Sequence, residues 1–423
     1  MKGFHSRTEL REAIQILQSR VASLGHEKVP LEKSFNRVLA QSLVAPVAVP
    51  HFDRAAMDGY AVKGEDTFGA DQLNPRELEI VGESMPGNPC ALATGENQAV
   101  RIMTGAKIPQ GANAVIPAEV TQELPPSRQF PFGSVQVFQA MAPGKNIGKT
   151  GEDVKAGSTI LEKGRVLRPQ DVGLISSVGI REIPVFASPK VRILITGNEI
   201  LPAGSPPEKE KIADSNSLTL RGLVQRDGGQ AIFEGIIPDD SQTLEKALSE
   251  HGSDLVLISG GSSVGKEDHA PALLKKLGEL AVHGVGMRPA SPAGFGFLES
   301  RIPVFLLPGN PVSCLCAYDL LASMAVRKMA GLPIELPYPR AMVKTGKKIV
   351  SAVGRVDYVR VKIATNGLLE PVVGSGASNL SSTTRADGFI LIDQDSEGFP
   401  EGTPVLVYFY DSTPRGHEAG TIS

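Results

Sequence analysis

The spacing of apolar residues near the start of the chain predicts a helix. Five apolar side chains recur at intervals of three and four residues, which is the spacing of one face of an α-helix. They are Leu10, Ala13, Ile14, Leu17 and Val21. We predict an amphipathic helix over residues 6–22, with Ser6 and Glu9 forming a capping box at its start.

From about residue 45 to 150 the pattern changes to short apolar pieces broken by Pro and Gly, which is typical of β-strands. Residues 101–117 predict two short strands around a turn, and residues 121–134 predict an exposed loop. Residues 168–179 again predict a helix, with Pro169 in its first turn and Gly179 at its end.

Between about residues 188 and 332, short apolar runs alternate with helical patterns. The predicted strands are 191–196, 230–237, 254–259 and 304–309. The predicted helices are 215–226, 241–251, 270–278 and 312–330. Strands alternating with helices predict a parallel, doubly wound sheet. After residue 335 the pattern contains only strands, at 355–363, 388–392 and 403–409, and predicts a small all-β domain.

Composition narrows the class of protein. The chain has 423 residues, 41% hydrophobic and 21% charged, as in folded globular proteins. Its net charge of −3 argues against a protein that binds nucleic acid or a membrane surface through bulk positive charge. No signal peptide or membrane-spanning segment is evident, and the three cysteines show no metal-ligand spacing. We therefore expect a cytoplasmic protein that binds neither nucleic acid nor membrane.

One loop combines features of an anion site. In "DLVLISGGSSVGKED", residues 254–268, an apolar run is followed by small residues and then by charged ones. Glycine backbone and serine hydroxyls can surround phosphate oxygens, and Asp268 could hold a divalent cation that bridges them. The same loop could equally be a structural turn between a strand and a helix. The pattern is not a P-loop, because Glu267 occupies the position of the Mg²⁺-binding hydroxyl.

Other predicted strands of this region also end in polar groups. Because ligands of open parallel sheets bind beyond the carboxyl ends of the strands, these groups predict one shared site. They are Thr196, Asn198, Glu199, Asp239, Asp240, Asn310 and Ser313. Two alternatives stay open, since Asp239 or Asp240 could cap a helix and Asn310 could be a turn residue.

A series of motifs in a fixed order indicates a family. The sequence contains "FDRAAMDGYAV", "RIMTGA", "GED", "TGNE", "DSN", "ISGGSSVGKED" and "LPGNPVS". In these motifs it resembles the molybdopterin molybdotransferase family, which includes the bacterial molybdate-inserting enzyme and the E domain of gephyrin. The resemblance covers nearly the whole chain. It implies an α/β multidomain protein in four parts, and the expected boundaries follow from the segment pattern.

The expected parts are as follows. A helical and mixed N-terminal domain comprises residues 1–44 and 145–187 and is interrupted by an extended β domain, 45–144. A doubly wound, parallel-sheet molybdopterin-binding domain follows at 188–332, and a small C-terminal β-barrel at 333–423.

The resemblance also implies the activity. Such enzymes insert molybdate into adenylated molybdopterin and release AMP, with Mg²⁺ as cofactor, in molybdenum cofactor biosynthesis. The implied partners are a second copy of the chain, in a homodimer with a shared site, the molybdopterin nucleotide and other proteins of cofactor biosynthesis.

By position, the resemblance assigns two groups of residues. The implied catalytic residues are Asp58, Asp153, Glu199, Asp239, Asp268 and Arg288, of which Asp239 and Asp268 would hold Mg²⁺. The implied substrate-binding residues are Thr104, Asp214, Gly260, Gly261, Ser262, Ser263, Gly265, Asn310, Ser313, Arg355 and Ser378. Among these, residues 260–265 would surround the pyrophosphate, and Ser313 and Arg355 would lie near the molybdate.

The chain departs from the family at the expected oxyanion site. Where the family usually has K-P-G-K-P, residues 288–292 are "RPASP", so that Arg288 and Ser291 replace two lysines. Family serines correspond to Ala55 and Ala377. Two alternatives follow, a catalytically weakened paralogue that binds a pterin nucleotide or a partner protein, and a molybdopterin adenylyltransferase. The long N- and C-terminal additions disfavour the adenylyltransferase.

Overall fold

The chain forms two compact units, each made from several segments. A computed structural model describes residues 7–206, 208–260, 269–299, 301–372 and 376–411. The first unit comprises residues 1–27, 36–40 and 184–423, and the second comprises 28–35 and 41–183. The four-domain division stays a prediction.

The secondary structure of the described residues mixes short helices with many short strands. The α-helices are α1 (Leu10–Arg20), α2 (Pro169–Ser177), α3 (Asn216–Arg226), α4 (Ser241–Ser249), α5 (His269–Leu277), α6 (Pro311–Ala317), α7 (Ser323–Met329) and α8 (Ser381–Thr384). A π-helical segment, Tyr318–Ala322, joins α6 to α7. Short 3₁₀ helices lie at Leu31–Lys33, Gly64–Thr67 and Ala118–Val120.

The strands of the N-terminal half are β1 (His26–Pro30), β2 (Leu43–Val44), β3 (Arg54–Ala55), β4 (Gly59–Val62), β5 (Arg76–Ser84), β6 (Gln98–Ile102), β7 (Ala114–Pro117), β8 (Thr121–Leu124), β9 (Ser134–Val137), β10 (Ile147–Gly148), β11 (Thr159–Leu161) and β12 (Glu182–Phe186). Those of the middle part are β13 (Lys190–Thr196), β14 (Ile200–Leu201), β15 (Ile212–Ala213), β16 (Gln230–Ile237), β17 (Leu255–Ser259), β18 (Gly278–His283), β19 (Met287–Arg288), β20 (Gly294–Leu298) and β21 (Ile302–Leu307). Those of the C-terminal part are β22 (Arg340–Lys344), β23 (Ile349–Val350), β24 (Val356–Ile363), β25 (Leu369–Pro371), β26 (Gly388–Ile392), β27 (Gly398–Phe399) and β28 (Pro404–Phe409).

The first helix begins at Leu10, whereas the prediction places its start at residue 6. The predicted capping box is wrong, because the N-cap residue is Glu9 and its side chain makes no capping hydrogen bond. Thr8 is held in an extended bridge instead, donating its N–H to Gly284 O at 3.0 Å and accepting from Gly286 N–H at 2.8 Å. A residue held in this extended bridge cannot also start a helix. The predicted helix around Pro169 is confirmed as α2, with Pro169 at its first position.

The central sheet of the first unit has the strand order β16-β13-β17-β21-β20-β18. The four predicted strands are confirmed and pair in parallel. Two strands that the sequence did not predict, β20 and β18, extend this parallel sheet and run antiparallel to their neighbours. Gly294 and Gly296 weaken the strand pattern of β20, since glycine is depleted in strands. A side chain at Gly296 would overlap the Glu279 carbonyl, so glycine permits this pairing.

Both faces of the parallel strands are buried, as helices on both sides of a sheet require. Leu194, Val256 and Ile258 pack on one side in a cluster with residues of α4 and α5. Ile193 and Leu257 pack on the other side in a cluster with residues of α1, α3 and α6. The continuous apolar runs therefore place the sheet in the centre of the first unit.

The C-terminal strands form a second sheet, in the order β19-β24-β26-β28-β22, with β25 paired to β24. Strand β19 precedes this region in the chain, and its residues Met287 and Arg288 pair in parallel with Val356 and Asp357. Closure of these strands into a barrel stays a prediction. The pairing of β19 places the "RPASP" segment next to strand β24.

The second unit contains a six-stranded sheet in the order β7-β4-β6-β5-β9-β8. Residues 101–117 contain the ends of two strands, as predicted, but β6 and β7 lie on either side of β4 and do not pair with each other. The predicted exposed loop at 121–134 is wrong at both ends, because β8 pairs with β9 across it.

A buried ionic network connects the two sheets of the first unit through their helices. Asp227, at the end of α3, is fully buried and accepts hydrogen bonds from Arg226 at 2.8 Å, from Arg327 of α7 at 3.1 Å and from the Tyr318 hydroxyl at 3.1 Å. Arg226 also contacts Asp319 at 3.1 Å. Burial raises the pKa of Asp319, and the Arg226 guanidinium opposes that rise.

The Asp319 carboxylate extends this network to the C-terminal strands. It accepts from the Tyr338 hydroxyl at 2.9 Å and from the Tyr358 hydroxyl of β24 at 3.2 Å. Each buried charge is thus opposed by a partner, which is the condition under which burial of charge is tolerated.

We expect Asp227→Asn to lower the free energy of unfolding by about 3–5 kcal/mol, because it leaves the nearly buried Arg327 guanidinium without a charged partner and Arg226 with Asp319 alone. Glu245→Gln is the control, since Glu245 pairs with Lys276 at the surface and such pairs contribute about 1 kcal/mol or less. Chemical denaturation followed by circular dichroism measures both. Equal effects of the two substitutions would contradict the assigned importance of the network.

Candidate active site

The carboxyl ends of three parallel strands meet at one edge of the central sheet. Ile195 of β13 lies opposite Ser259 of β17, and Ser259 lies opposite Leu307 of β21. A cavity of about 590 Å³, here called the edge cavity, lies at this edge. Its lining includes Thr196, Glu199, Asp214, Asp239, Gly260, Asn310 and Ser378, all of them singled out from the sequence.

Gly260 lies close against the end of β13. Its φ is +104°, in the region that favours glycine, and a side chain there would overlap the Thr196 carbonyl oxygen. Its N–H donates to Leu307 O at 3.2 Å. A larger residue would push the β17 loop away from β13 and open the edge cavity.

The segment before α3 supplies a carboxylate and an amide to the wall of the edge cavity. Asp214 is 6% exposed, and its Oδ1 accepts from Ser217 N–H at 3.0 Å. Its Oδ2 is buried and has no hydrogen-bond partner among the described residues. Asn216 donates to Ser259 Oγ at 2.9 Å and to Gly309 O at 2.8 Å, which connects three loops.

The two adjacent acids after β16 have different positions. Asp240 is the N-cap of α4 and accepts from Gln242 N–H at 3.0 Å and Thr243 N–H at 2.9 Å. The Thr243 N–H holds the pKa of Asp240 below its ordinary value. The helix-cap alternative is therefore confirmed for Asp240, whereas Asp239 borders the edge cavity.

Asn310 borders two cavities at once. It precedes α6, and its Oδ1 accepts from the Ser378 hydroxyl at 2.9 Å. The same side chain carries two N–H donors on its amide nitrogen. Ser313, in the first turn of α6, is buried and borders the second cavity.

The second cavity, here called the arginine cavity, has a volume of about 570 Å³. Arg288, Arg355 and Arg360 border it, together with Ser291 and Ser313. It shares three residues with the edge cavity, and these are Pro292, Pro308 and Asn310. Its lining thus combines three arginines with one carboxylate, that of Asp357.

Arg288 reaches the arginine cavity with an ionic partner. Its guanidinium pairs with Asp357, whose side chain is almost fully buried and also accepts from the Ser351 hydroxyl at 2.6 Å. Ser291 stands where the resembled family has its second lysine. Its hydroxyl is buried and has no hydrogen-bond partner among the described residues. The charge of Arg288 is thus partly neutralised by Asp357, and Ser291 carries no charge.

The second unit places two predicted residues in direct contact. Asp58 accepts from both the N–H and the hydroxyl of Thr104, each at 2.7 Å, and the N–H bond holds the pKa of Asp58 below its ordinary value. Asp53 accepts in the same way from Thr150 and also pairs with Lys149 at 2.9 Å. Asp153 lies three residues beyond Thr150 with an exposed side chain.

Part of the predicted anion loop lies outside the described residues. These positions are Gly261, Ser262, Ser263, Gly265 and Asp268. No group of three or more His, Cys, Asp or Glu side chains in the described part of the chain could hold a metal ion by itself. Cys314 and Cys316 are buried in α6, and burial raises the pKa of Cys314 to about 12.

Sequence reasoning missed Asp357 and the role of Asn216. The signal for Asp357 was an acid in "RVDYVRVKI", where a strand otherwise carries apolar and basic residues. Asn216 stood within the "DSN" motif, but its two partners lie 43 and 93 residues away in the chain. Neither partner is visible in local sequence spacing.

Comparisons with protein families cover most of the chain. Residues 8–179 match the model of the MoeA N-terminal region (domain I and II). Residues 192–328 match the model described as "Probable molybdopterin binding domain", and residues 342–410 match the MoeA C-terminal region (domain IV).

Individual relatives align in sequence with this chain over nearly their full length. The molybdopterin molybdenumtransferase of Haemophilus influenzae is 34% identical over 388 residues, which are 90% of this chain and 93% of the relative. That of Staphylococcus aureus strain COL is 30% identical over 97% of both chains. A crystal structure of the molybdopterin biosynthesis MoeA protein from Pyrococcus horikoshii is similar with a TM-score of 0.80 at 33% identity, covering 96% of this chain and 100% of that one.

Proposed function

Because the chain belongs to the molybdopterin molybdenumtransferase family, we propose that it inserts molybdate into adenylated molybdopterin and releases AMP. It is an enzyme of molybdenum cofactor biosynthesis, with a molybdopterin-binding domain in a multidomain α/β chain. The proposed insertion of molybdate with release of AMP is supported by two cavities that share Asn310. One is bordered by carboxylates and backbone amides, and the other by arginines.

The edge cavity suits the nucleotide part of the substrate. Gly260 brings backbone close to the cavity, and the Asn310 amide can donate to a phosphoryl oxygen. Donors held in place before the reaction stabilise charge that develops on phosphoryl oxygens. In this proposal, Gly260 and Asn310 orient the pyrophosphate for cleavage together with residues 261–265, which lie outside the described part of the chain.

The acidic residues of the edge cavity fit a magnesium ion. Glu199 and Asp239 supply carboxylate oxygens, the ligands that Mg²⁺ prefers. Mg²⁺ is often bound by one or two carboxylates together with substrate phosphates, so a complete protein cluster is not required. Asp239, with Asp268, would hold the cation, which when bound would neutralise negative charge on the pyrophosphate.

The arginine cavity suits the incoming molybdate. Arg355 and Arg360 supply positive charge, and Ser313 supplies a hydroxyl. Arg288 contributes less net charge than a free cation would, because it is paired with Asp357. The shared wall at Asn310 would place the oxyanion beside the nucleotide, so that both substrates are held for one reaction.

Residues of the second unit also have a role in the proposed function. Thr104 holds the Asp58 carboxylate in one orientation, and Asp153 is exposed to solvent. We propose that these residues act in a homodimer, in which the second unit of one subunit completes the edge cavity of its partner. The proposed location is the cytosol; in the described residues, every helix is too short or too polar to cross a bilayer.

The direct test is to incubate purified protein with adenylated molybdopterin, Mg²⁺ and molybdate and to measure AMP. We expect Asp239→Asn to reduce AMP release by roughly 100-fold, since it removes the negative charge of a proposed cation ligand. Asp240→Asn is the matched control, because the neighbouring residue caps α4 and should retain activity. If Asp239→Asn turned over like wild type, Asp239 would have no part in the reaction.

We expect Ser291→Lys to lower the molybdate concentration needed for half-maximal AMP release. A charge-assisted hydrogen bond contributes about 1.5–3 kcal/mol, or roughly 10- to 150-fold in affinity. The effect should be clearest with Arg288→Lys added. Ser176→Lys, which adds the same charge on an exposed part of α2, should change nothing. If wild type already saturates at low molybdate and Ser291→Lys has no effect, Arg355 or Arg360 supplies the lost contact.

The homodimer proposal predicts complementation between two inactive chains. Mixing Asp58→Ala with Asp239→Asn should restore up to about a quarter of wild-type AMP release, because random exchange makes half of the dimers mixed and each mixed dimer has one intact site. Each variant alone should stay inactive. Absence of recovery, with subunit exchange demonstrated by native mass spectrometry, would contradict a site shared between subunits.

A further inference from the structure

The arginine cavity contains one acidic residue among its arginines. Arg288, Arg355 and Arg360 border it, and Asp357 is the one Asp or Glu among the described residues of its lining. The lining therefore carries three positive charges and one negative charge, a formal net charge of +2. A carboxylate beside an anion site weakens binding of the anion, because like charges repel. Asp357 thus opposes the arginines that attract the anion.

The Asp357 carboxylate is fixed in this position from several sides. Strand β24 places Asp357 beside Arg288 of β19 and opposite Ile392 of β26. Its Oδ2 pairs with the Arg288 guanidinium and accepts from the Ser351 hydroxyl at 2.6 Å. Only 1% of the Asp357 side chain is exposed, against 43% of the Arg288 side chain. Because Asp357 is shielded from water and salt, its negative charge is screened less than the positive charge of Arg288.

The net charge of the lining matches one class of anion. Molybdate is a tetrahedral dianion at neutral pH, so a lining of +2 balances it. Without the carboxylate, the lining would also favour anions of higher charge, such as pyrophosphate. The edge cavity, in which a pyrophosphate is proposed to bind, shares Pro292, Pro308 and Asn310 with the arginine cavity. A carboxylate in the arginine cavity therefore disfavours entry of the neighbouring pyrophosphate into the oxyanion site.

We propose that Asp357 is a specificity-determining residue, which restricts the arginine cavity to oxyanions of low charge by holding the net charge of its lining at +2. This inference deepens the proposed function and rests on it, since that function assigns molybdate to this cavity. Specificity arises from repulsion of the wrong ligand as well as from attraction of the right one. Asp357 supplies the repulsion, and the three arginines supply the attraction.

The test measures binding of two oxyanions to the full-length protein by equilibrium dialysis, with the metals quantified by mass spectrometry. Molybdate and perrhenate are both tetrahedral, but molybdate carries two negative charges and perrhenate carries one. Asp357→Asn removes a charge and leaves an oxygen that can still accept from Ser351 and Arg288. Asp395→Asn is the control, since it removes the same charge at an exposed position that does not border the arginine cavity.

We expect Asp357→Asn to tighten molybdate binding about tenfold and perrhenate binding about threefold, because the repulsion from one fixed charge is proportional to the charge of the anion. Pyrophosphate, measured by its competition with bound molybdate, should gain more than molybdate does. The half-saturating molybdate concentration for AMP release should fall together with the dissociation constant. Asp395→Asn should change neither affinity. A merely structural role of Asp357 would weaken binding of both oxyanions and could not give a gain ordered by charge.

A second comparison separates the charge of the cavity from the ion pair. Arg288→Gln should weaken molybdate binding about tenfold, and Asp357→Asn added to it should restore affinity to within about twofold of wild type, because the net charge returns to that of wild type. If the double variant binds molybdate as weakly as Arg288→Gln does, Asp357 acts only by holding Arg288 and the inference is wrong. The same two variants carry the test if thermal unfolding shows that Asp357→Asn alone is not folded.

Two negative results have different meanings. If wild type binds molybdate and releases AMP, while folded Asp357→Asn binds both oxyanions as wild type does, only this inference fails. If wild type neither binds molybdate nor releases AMP, the proposed function and this inference fail together.

Discussion

The in-register pairing of three parallel strands is the constraint on which the candidate site depends. Because β13, β17 and β21 run in the same direction and pair without offset at their ends, the loops that follow them leave the sheet side by side. Gly260 makes this arrangement possible, since any side chain there would overlap the Thr196 carbonyl. The hydrogen bonds of Asn216 to Ser259 and Gly309 then hold the emerging loops together. The edge cavity is the space that these loops enclose.

The distribution of charge follows from which partners the fold can supply. Asp227 and Asp319 are fully buried, but each lies against guanidinium and tyrosine hydroxyl groups that compensate for lost hydration. At the arginine cavity the same rule operates with Asp357, which is buried and paired with Arg288. Arg355 and Arg360 border that cavity as well, so its net character stays cationic. Ser291 borders the same cavity and contributes no charge to it.

Two cavities of different chemistry lie near the edge strand β16. At the strand ends, the carboxylates of Glu199 and Asp239 border the edge cavity. Along β16 itself, Phe233 and Ile237 are only partly buried and border a separate, more apolar cavity. Asp214 touches both regions, because the segment before α3 passes between them.

The sequence by itself determined the local elements and much of the chemistry. Continuous apolar runs of suitable length indicated the four parallel strands, because strands buried on both faces need apolar side chains at every position. Glycines and acids at the ends of those runs indicated the edge site, and Asp240 was weighed correctly as a helix cap. These features depend on neighbours within a few residues, which is the range that spacing and propensity report.

Only the tertiary structure decided which distant residues meet. The antiparallel strands β18 and β20 were not predicted, because the glycines that permit their close pairing also weaken the strand pattern. The start of α1 depends on the bridge between Thr8 and residues 284–286, and the ion pair of Arg288 depends on Asp357, which lies 69 residues away. Likewise, the cavity between β16 and the turn at Ala203 exists because β16 is the outermost strand of the described central sheet. Local sequence patterns do not show which strand is outermost. Contacts across tens or hundreds of residues are set by packing of the whole unit, so the sequence could indicate the site but not its walls.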